Sequence, residues 1–478
     1  MTFTYNLNKS TLESYLSTDV NAFTQNLIEN ALTGNGLQPS GSTTLTTTIV
    51  DAQAPHVFNS ATTGYTNFTT SGQLFIADAP PSGSGQSISV TDSAGGNIFA
   101  LGAYTDSLTI NNNGSGADSV YGGGDYGETI SLGTGVFVAV GGAGARTTIN
   151  GGSGVDYIYG GPGGRTSIQA GSGSGFYSGD TSVAAAYSYD TLVAGTGGGQ
   201  MLGVSNGANV IYGTSGGVSS VQNTLWGGAG TDTIWGGGKS EVHAGSGTED
   251  LWGGQWAGSA DTLIAGSGTD MLSAWAGNNL IYGYNTSNPS GSDHWSTGAN
   301  TIWTGSGSDT VYGGGRSVID TVNDTLHSGT GHTLIWAGRF SSSADTINAG
   351  AGDVWVGIGQ GNNSIQGGSG ELTAWTGSGK DTITLGSGSD TIGVQQGNSS
   401  IVGGSGHDTI FYWNSANSTI TGGADTTVDV VGSLSGASTV TGAAGATITF
   451  SNGHSLTYSG SVKLNTVAQD TIKAFNNF

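Results

Sequence analysis

The fold class this sequence predicts is all-β: an elongated parallel β-solenoid or β-roll with nine-residue half-turns, plus a short N-terminal amphipathic helix. Three observations predict it. Between Gly377 and Trp413 the chain repeats itself every nine residues, with Ile383, Ile392, Ile401 and Ile410 in step, and the register runs back through Ala374, Ile365, Val356 and Ile347. Two residues before such positions stand Asp345, Asn363, Asp381, Asp390 and Asp408, usually after Gly-x-Gly. The chain also holds 91 glycines in 478 residues, interleaved with periodic Ile, Val and Leu and with 11 tryptophans. Disordered Gly-rich chains lack such apolar residues, whereas self-similarity at a fixed short period marks a solenoid.

The residue types give the physics. Glycine permits the backbone angles of tight corners, and β-branched residues suit a pleated strand. In Thr382-Ile383-Thr384 the isoleucine turns inward and both threonines turn out. Two nine-residue units then close one coil, placing Ile383 over Ile401 and Ile392 over Ile410 in two facing parallel sheets. No unit buries its single isoleucine alone, so stacking supplies the core.

In chain order, residues 1–36 form a helical cap or assembly segment. Ser10 with Glu13 makes a capping box, Leu12, Leu16, Val20, Phe23 and Leu27 recur at helical spacing, and Gly34-Asn35-Gly36 ends the run. This helix either covers the open first coil or docks on another subunit. Residues 37–100 are a β-rich entry region, either a small domain or degenerate first coils. From 101 to 432 runs the Gly-rich solenoid. Its core candidates are Ile110, Val120, Ile130, Ile149, Ile158, Ile168, Leu202, Ile211, Leu225, Ile234, Leu263, Leu272, Ile281, Ile302, Val311, Leu326 and Ile335. The steps lengthen at several places, and the last three insertions, after Ile281, Val311 and Ile335, fall along one edge if no half-turn is lost. Residues 433–478 return to Ser/Thr/Ala-rich strands, as a C-terminal cap or a secretion signal.

Composition narrows function. A formal charge of −23, from 32 acidic against 9 basic residues, disfavours nucleic acid, anionic lipid and polyanionic polysaccharide and suits cations. There is no cysteine, so no disulfide and no thiol chemistry. The N-terminus lacks a basic segment followed by an apolar one, so no Sec signal is expected, and no apolar run is long enough for a membrane span. Catalysis finds little support: the few lysines and arginines do not cluster with histidine, His327 and His332 lack an acidic third ligand, and no P-loop, G-x-S-x-G or H-E-x-x-H motif occurs. We expect no enzyme.

The corners carry the main motif. GGSGVD (151–156), GGAGTD (227–232) and GGSGHD (403–408) fit G-G-x-G-x-D fully, while NGSGAD (113–118), AGSGTD (265–270), TGSGSD (304–309), TGSGKD (376–381) and LGSGSD (385–390) lack only the first glycine. Over roughly 105–425 the chain thereby resembles the repeats-in-toxin (RTX, haemolysin-type) calcium-binding family. That resemblance implies a parallel β-roll, calcium held between successive corners by backbone carbonyls and Asp carboxylates, and type I secretion to the extracellular space or cell surface with an uncleaved C-terminal signal. The implied calcium ligands are Asp156, Asp232, Asp250, Asp309, Asp381, Asp390 and Asp408. A hard cation needs six or more oxygens, so a corner Asp needs a partner one coil on. Asp390 over Asp408 supplies one, Asp232 near Asp250 nearly does, and Asp345, Asn363 and Asp381 form a weaker column. Elsewhere Asn209, Asn279, Asn300 and Ser399 stand at the critical place, so a few calcium ions are expected and not a fully metallated roll. A lone corner Asp alternatively accepts backbone N–H bonds in an Asx-turn.

The aromatics are a second signal. Trp226, Trp235, Trp252, Trp303, Tyr121, Tyr159, Tyr212, Tyr282 and Tyr312 each follow a core position, so alternation turns them outward, and Trp355 and Trp375 stand on one face around Val356 and Ala374. Such a ladder serves lateral association with another copy, stacking on a neutral glycan, or contact with the corner insertions. The sequence thus points to a secreted structural surface or matrix protein that self-assembles into filaments or sheets as a homo-oligomer or polymer. A calcium-dependent glycan-binding adhesin is the second reading, and a polysaccharide-modifying enzyme the third.

Overall fold

A coil with one inward aliphatic per strand needs a neighbour above and below, and the computed structural model shows both. It describes residues 87–468 apart from 94, 96, 102–106, 113–115, 124–126, 143–145, 163–164, 181–188, 214–221, 255–259, 275–276, 284–298, 305–308, 313–315, 322–331, 338–343, 415–416 and 443–444. Of the first 86 residues it describes the strands Phe3–Leu7, Leu45–Asp51, Tyr65–Phe68 and Leu74–Asp78. The described residues are all strand, turn and bend, and none is helical. The amphipathic segment with Leu12, Leu16, Phe23 and Leu27 lies outside them.

The chain divides into two compact units, Met1–Glu241 and Val242–Phe478. In the first unit two parallel ladders alternate along the sequence. One stacks Val120, Ala139, Ile158, Tyr177, Leu202 and Leu225, and the other Ile130, Ile149, Ile168, Leu192, Ile211 and Ile234. All twelve are fully buried or nearly so. The entry strands join the same scheme: Leu45–Asp51 pairs parallel with Leu74–Asp78 and that with Ile98–Leu101, while Tyr65–Phe68, Ser87–Asp92 and Ser107–Asn112 form the second ladder. Phe3–Leu7 pairs antiparallel with Leu45–Asp51. It occupies the outer edge of that ladder, where an unpaired strand would invite another chain.

The second unit repeats the plan with cleaner steps. Ile347, Ile365, Ile383, Ile401 and Ile420 stack in one ladder, and Val356, Ala374, Ile392, Ile410 and Val428 in the other. From Ile347 to Ile410 these are the pairings the nine-residue register predicts, and Ile401 reaches Ile420 by a step one residue longer. One part of the register needs correction. Ile319, in strand Arg316–Thr321, sits between Ile302 and Ile347, a place for which the sequence suggested Leu326, which lies outside the described residues. That strand makes the half-turn assigned to Leu326 and places it seven residues earlier. Segment 322–331 therefore follows a strand of one ladder, whereas 284–298 and 338–343 follow strands of the other, so the three insertions do not share an edge.

The last coil changes register. Ser418–Val431 continues both ladders and pairs parallel with Ser455–Val467. Ser438–Gly442 and Gly445–Thr449 then turn back antiparallel, ending the unit in a fully exposed Ser/Thr-rich edge.

Candidate functional site

A residue two places before an inward aliphatic is itself inward on the pleat, so the corner Asp side chains are buried among backbone. Asp156, Asp232, Asp381, Asp390 and Asp408 are each at most 2% exposed. The glycines before them let successive corners touch. A Cβ on Gly386 would stand 1.7 Å from the Gly368 oxygen, so only glycine fits, and the Gly368 carbonyl instead accepts the Ser387 N–H at 2.9 Å.

The carboxylates close these corners in a repeated way. One oxygen accepts the N–H of the glycine four residues earlier: Gly152 to Asp156 at 2.8 Å, Gly228 to Asp232 at 2.8 Å, Gly386 to Asp390 at 3.1 Å and Gly404 to Asp408 at 2.9 Å. The other accepts a backbone N–H from the preceding coil: Asn209 to Asp232 at 2.9 Å, Asn363 to Asp381 at 3.0 Å and Leu372 to Asp390 at 2.9 Å. The corner Asp thus does accept backbone N–H bonds, but from a glycine four residues before it and from the preceding coil, not from two residues on as an Asx-turn would have it.

Burial without a countercharge is electrostatically costly, and it pushes the pKa values of Asp232, Asp381, Asp390 and Asp408 above the ordinary carboxylate range. For Asp156 burial raises it to about 6. At Asp408 desolvation leads, and the negative Asp390 one coil below adds to it. Three of these carboxylates keep a buried oxygen without a hydrogen-bond partner: Oδ1 of Asp156, Oδ2 of Asp381 and Oδ1 of Asp408. The Asp390 N–H lies near the Asp408 carboxylate but makes no hydrogen bond to that oxygen. Of the three, only Asp408 stands over another carboxylate, Asp390, whereas Asp156 lies between Phe137 and Gly175. A desolvated carboxylate oxygen with an unused lone pair is the kind of donor a hard divalent cation takes.

The remaining expected ligands are placed differently. Asp232 has both oxygens engaged, accepting from Gly228 and from the N–H and Nδ2 of Asn209. Asp250 stands beside the core Leu251 on the partly exposed side, and Glu249 takes the inward place, fully buried. The correction is readable afterwards in Gly245-Ser-Gly-Thr-Glu249, where Glu fills the motif's Asp position. Asp309 lies in strand Asp309–Tyr312, but its side chain is outside the described residues. Sequence reasoning missed the buried Glu128, Asp190 and Asp261. Each stands two residues before Ile130, Leu192 or Leu263, although the full glycine motif is absent there. Glu128 accepts from the Gly123 and Gly142 N–H groups and from the Thr147 hydroxyl, at 2.8, 2.5 and 3.0 Å.

The aromatic surface also divides. Trp355 is 45% exposed, but Trp375 is only 8% exposed. The two do not share a column: Trp355 pairs with Thr373, and Trp375 lies between Gly357 and Gly393. Its ring covers the bare Gly393 backbone, and its centroid lies 6.2 Å from that of Trp413. Alternation puts Trp375 outward as expected, yet a glycine neighbour lets the ring fold down and bury itself. Trp235 and Trp252 are half-buried. Trp303 and Tyr312 belong to strands, but their side chains are outside the described residues. A surface the sequence did not single out lies in the first unit, where Val138, Tyr157, Phe176 and Met201 are paired in one outward column over four coils.

Parallel coils with glycine corners closed by buried carboxylates define the class: a calcium-type β-roll. The family model described as the RTX calcium-binding nonapeptide repeat (4 copies) matches residues 140–166, 222–238, 257–285, 296–315, 358–392 and 395–418. The chain carries RTX nonapeptide repeats over these segments, and RTX nonapeptide repeats bind calcium. No curated protein and no solved structure matches it. Among the described residues, Asp156 and Asp408 (over Asp390) keep an unpaired buried oxygen outside the amide-closed corners and are the candidates for the ion. Bound there, calcium would supply the positive charge that a buried carboxylate lacks.

Proposed function

We propose that this chain is a secreted structural surface or matrix protein that assembles into filaments or sheets through its β-roll, with calcium setting the stability of some corners. RTX repeats suggest a secreted calcium-binding protein, and proteins carrying them are typically exported by type I secretion. One observation carries the assembly reading. The column Val138–Tyr157–Phe176–Met201 is apolar, with Tyr157 43% and Met201 39% exposed and Val155 beside it at 38%. No charged side chain stands in that column, on a chain of formal charge −23. Copies so strongly acidic repel one another everywhere except where charge is missing, so an uncharged flat β-face is where two can meet. Residues 1–36 are the second contact in this reading.

Sedimentation velocity and negative-stain microscopy test it. Tyr157→Glu with Phe176→Glu, both outward, should reduce polymers to monomers, and deleting residues 1–36 should do the same while the β-type circular dichroism persists. Polymers that survive all of these changes would refute the proposal. A calcium-dependent adhesin for a neutral glycan is the second reading, favoured by scattered exposed rings such as Tyr189 at 52% and Trp355 at 45%. In that case the protein is a monomer that binds neutral glycans only with calcium present.

A further inference from the structure

Several corners carry an Asn or Gln where the motif has Asp, and the side-chain amide closes them. In the column Asp345–Asn363–Asp381, Nδ2 of Asn363 donates to the Gln360 carbonyl and to Oδ1 of Asp381, both at 3.0 Å. Its Oδ1 meanwhile accepts the Asp345 N–H at 3.0 Å. The first unit repeats this bond for bond. Nδ2 of Asn209 donates to the Asn206 carbonyl at 3.0 Å and to Asp232 at 2.9 Å, and Oδ1 accepts the Asp190 N–H at 2.8 Å. Gln200 goes further. It is fully buried, and its Nε2 donates to two carbonyls of one neighbouring corner, Gly171 at 2.9 Å and Gly173 at 2.7 Å, while Oε1 accepts the Gly195 N–H at 2.8 Å.

In each case an NH2 group gathers a corner oxygen together with a second oxygen from a carboxylate or carbonyl. Bridging such oxygens is what a bound cation does in a corner of this kind. We propose that the amides of Gln200, Asn209 and Asn363 are built-in substitutes for the cation. They would make their corners metal-independent, while carboxylate-over-carboxylate corners such as Asp390–Asp408 remain the ones that recruit calcium. The inference rests on the reading that RTX corners of this chain take calcium, and it assigns which ones do. An amide donates two hydrogen bonds and carries no charge, so it joins neighbouring coils without adding to the stacked negative charge. A carboxylate at the same place has no donor and repels its neighbours.

The experiment exchanges the two corner types in the full-length protein and reads thermal unfolding together with bound calcium by calorimetry. Asn363→Asp stacks three carboxylates at 345, 363 and 381. In chelator it should unfold at a clearly lower temperature than wild type, in millimolar calcium it should regain most of that loss, and it should bind about one more calcium per chain. Asn363→Leu removes the amide without adding charge, so its loss should not be recovered by calcium. Asp408→Asn is the reverse exchange. It should raise the unfolding temperature in chelator and lower the number of ions bound, and it keeps the test decisive should Asn363→Asp fail to fold. If Asn363→Asp gains no ion and no calcium response beyond wild type, or if wild type binds calcium and Asp408→Asn loses none, the proposal is overturned. Wild type without calcium binding alongside a responsive Asn363→Asp would instead overturn the assignment of Asp390 and Asp408 and leave the amide inference standing.

Discussion

Asp156 shows how a single side chain ties this fold to pH. Its carboxyl is fully buried, one oxygen lacks a partner, and its pKa rises from 3.8 to about 6 through desolvation. Below about pH 3 it is protonated in the folded and unfolded chain alike and costs nothing. As pH rises, the unfolded chain sheds the proton first, so stability declines through this window and is lower by about 3 kcal/mol at neutral pH. Asp232, Asp381, Asp390 and Asp408 are shifted the same way and add to the trend. In chelator, denaturant titration should therefore find the protein more stable at pH 5 than at pH 7.5. Asp156→Asn should remove a share of that difference of about 1.4 kcal/mol, since about half of the full cost is already present at pH 5. Equal stability at both pH values in wild type would contradict the buried, unpaired state of these carboxylates.

At the scale of the strand, the neighbour one coil away decides what an outward side chain does. Trp375 faces Gly393 and is covered, while Trp355 faces Thr373 and remains 45% exposed. Trp375→Ala should thus cost about 2–3 kcal/mol, near the value for burying a large apolar side chain, and Trp355→Ala about 0.5 kcal/mol or less. Differential scanning calorimetry of the two variants separates them, and equal losses would contradict the difference in burial. The same rule explains how much was legible in advance. Inward stacking follows from period alone, which is why Ile365, Ile383 and Ile401 pair as their spacing predicts. What lies beside an outward residue depends on register across coils, and uneven corner lengths hide that register. Tyr177 escaped notice because an inward tyrosine is not aliphatic, yet it stacks between Ile158 and Leu202 and is fully buried. Asp250 directly precedes Leu251 and so faces outward, whereas Glu249, two residues before Leu251, takes the buried corner place. The buried Asp positions were legible wherever Gly-x-Gly preceded them, and the amide ladder was not, because Asn at a corner looks like a lost ligand until its donors are seen.

For the whole molecule the question is whether a chain of formal charge −23 stays folded without its cation. Stacked carboxylates and a surplus of surface acid both oppose folding as pH rises. Against them stand the buried aliphatic ladders and the corner bonds from N–H groups and amides, none of which needs metal. We therefore expect chelator-treated protein at pH 7.5 to keep its β-type circular dichroism and to unfold cooperatively at a reduced temperature. Added calcium should raise that temperature at pH 7.5, and the gain should shrink toward zero near pH 4, because protons and calcium compete for the same oxygens. A chain that is unfolded in chelator would show that the amide and N–H closures are too weak to hold the coils. A folded chain indifferent to calcium at pH 7.5 would show instead that the unpaired oxygens of Asp156 and Asp408 do not recruit the ion.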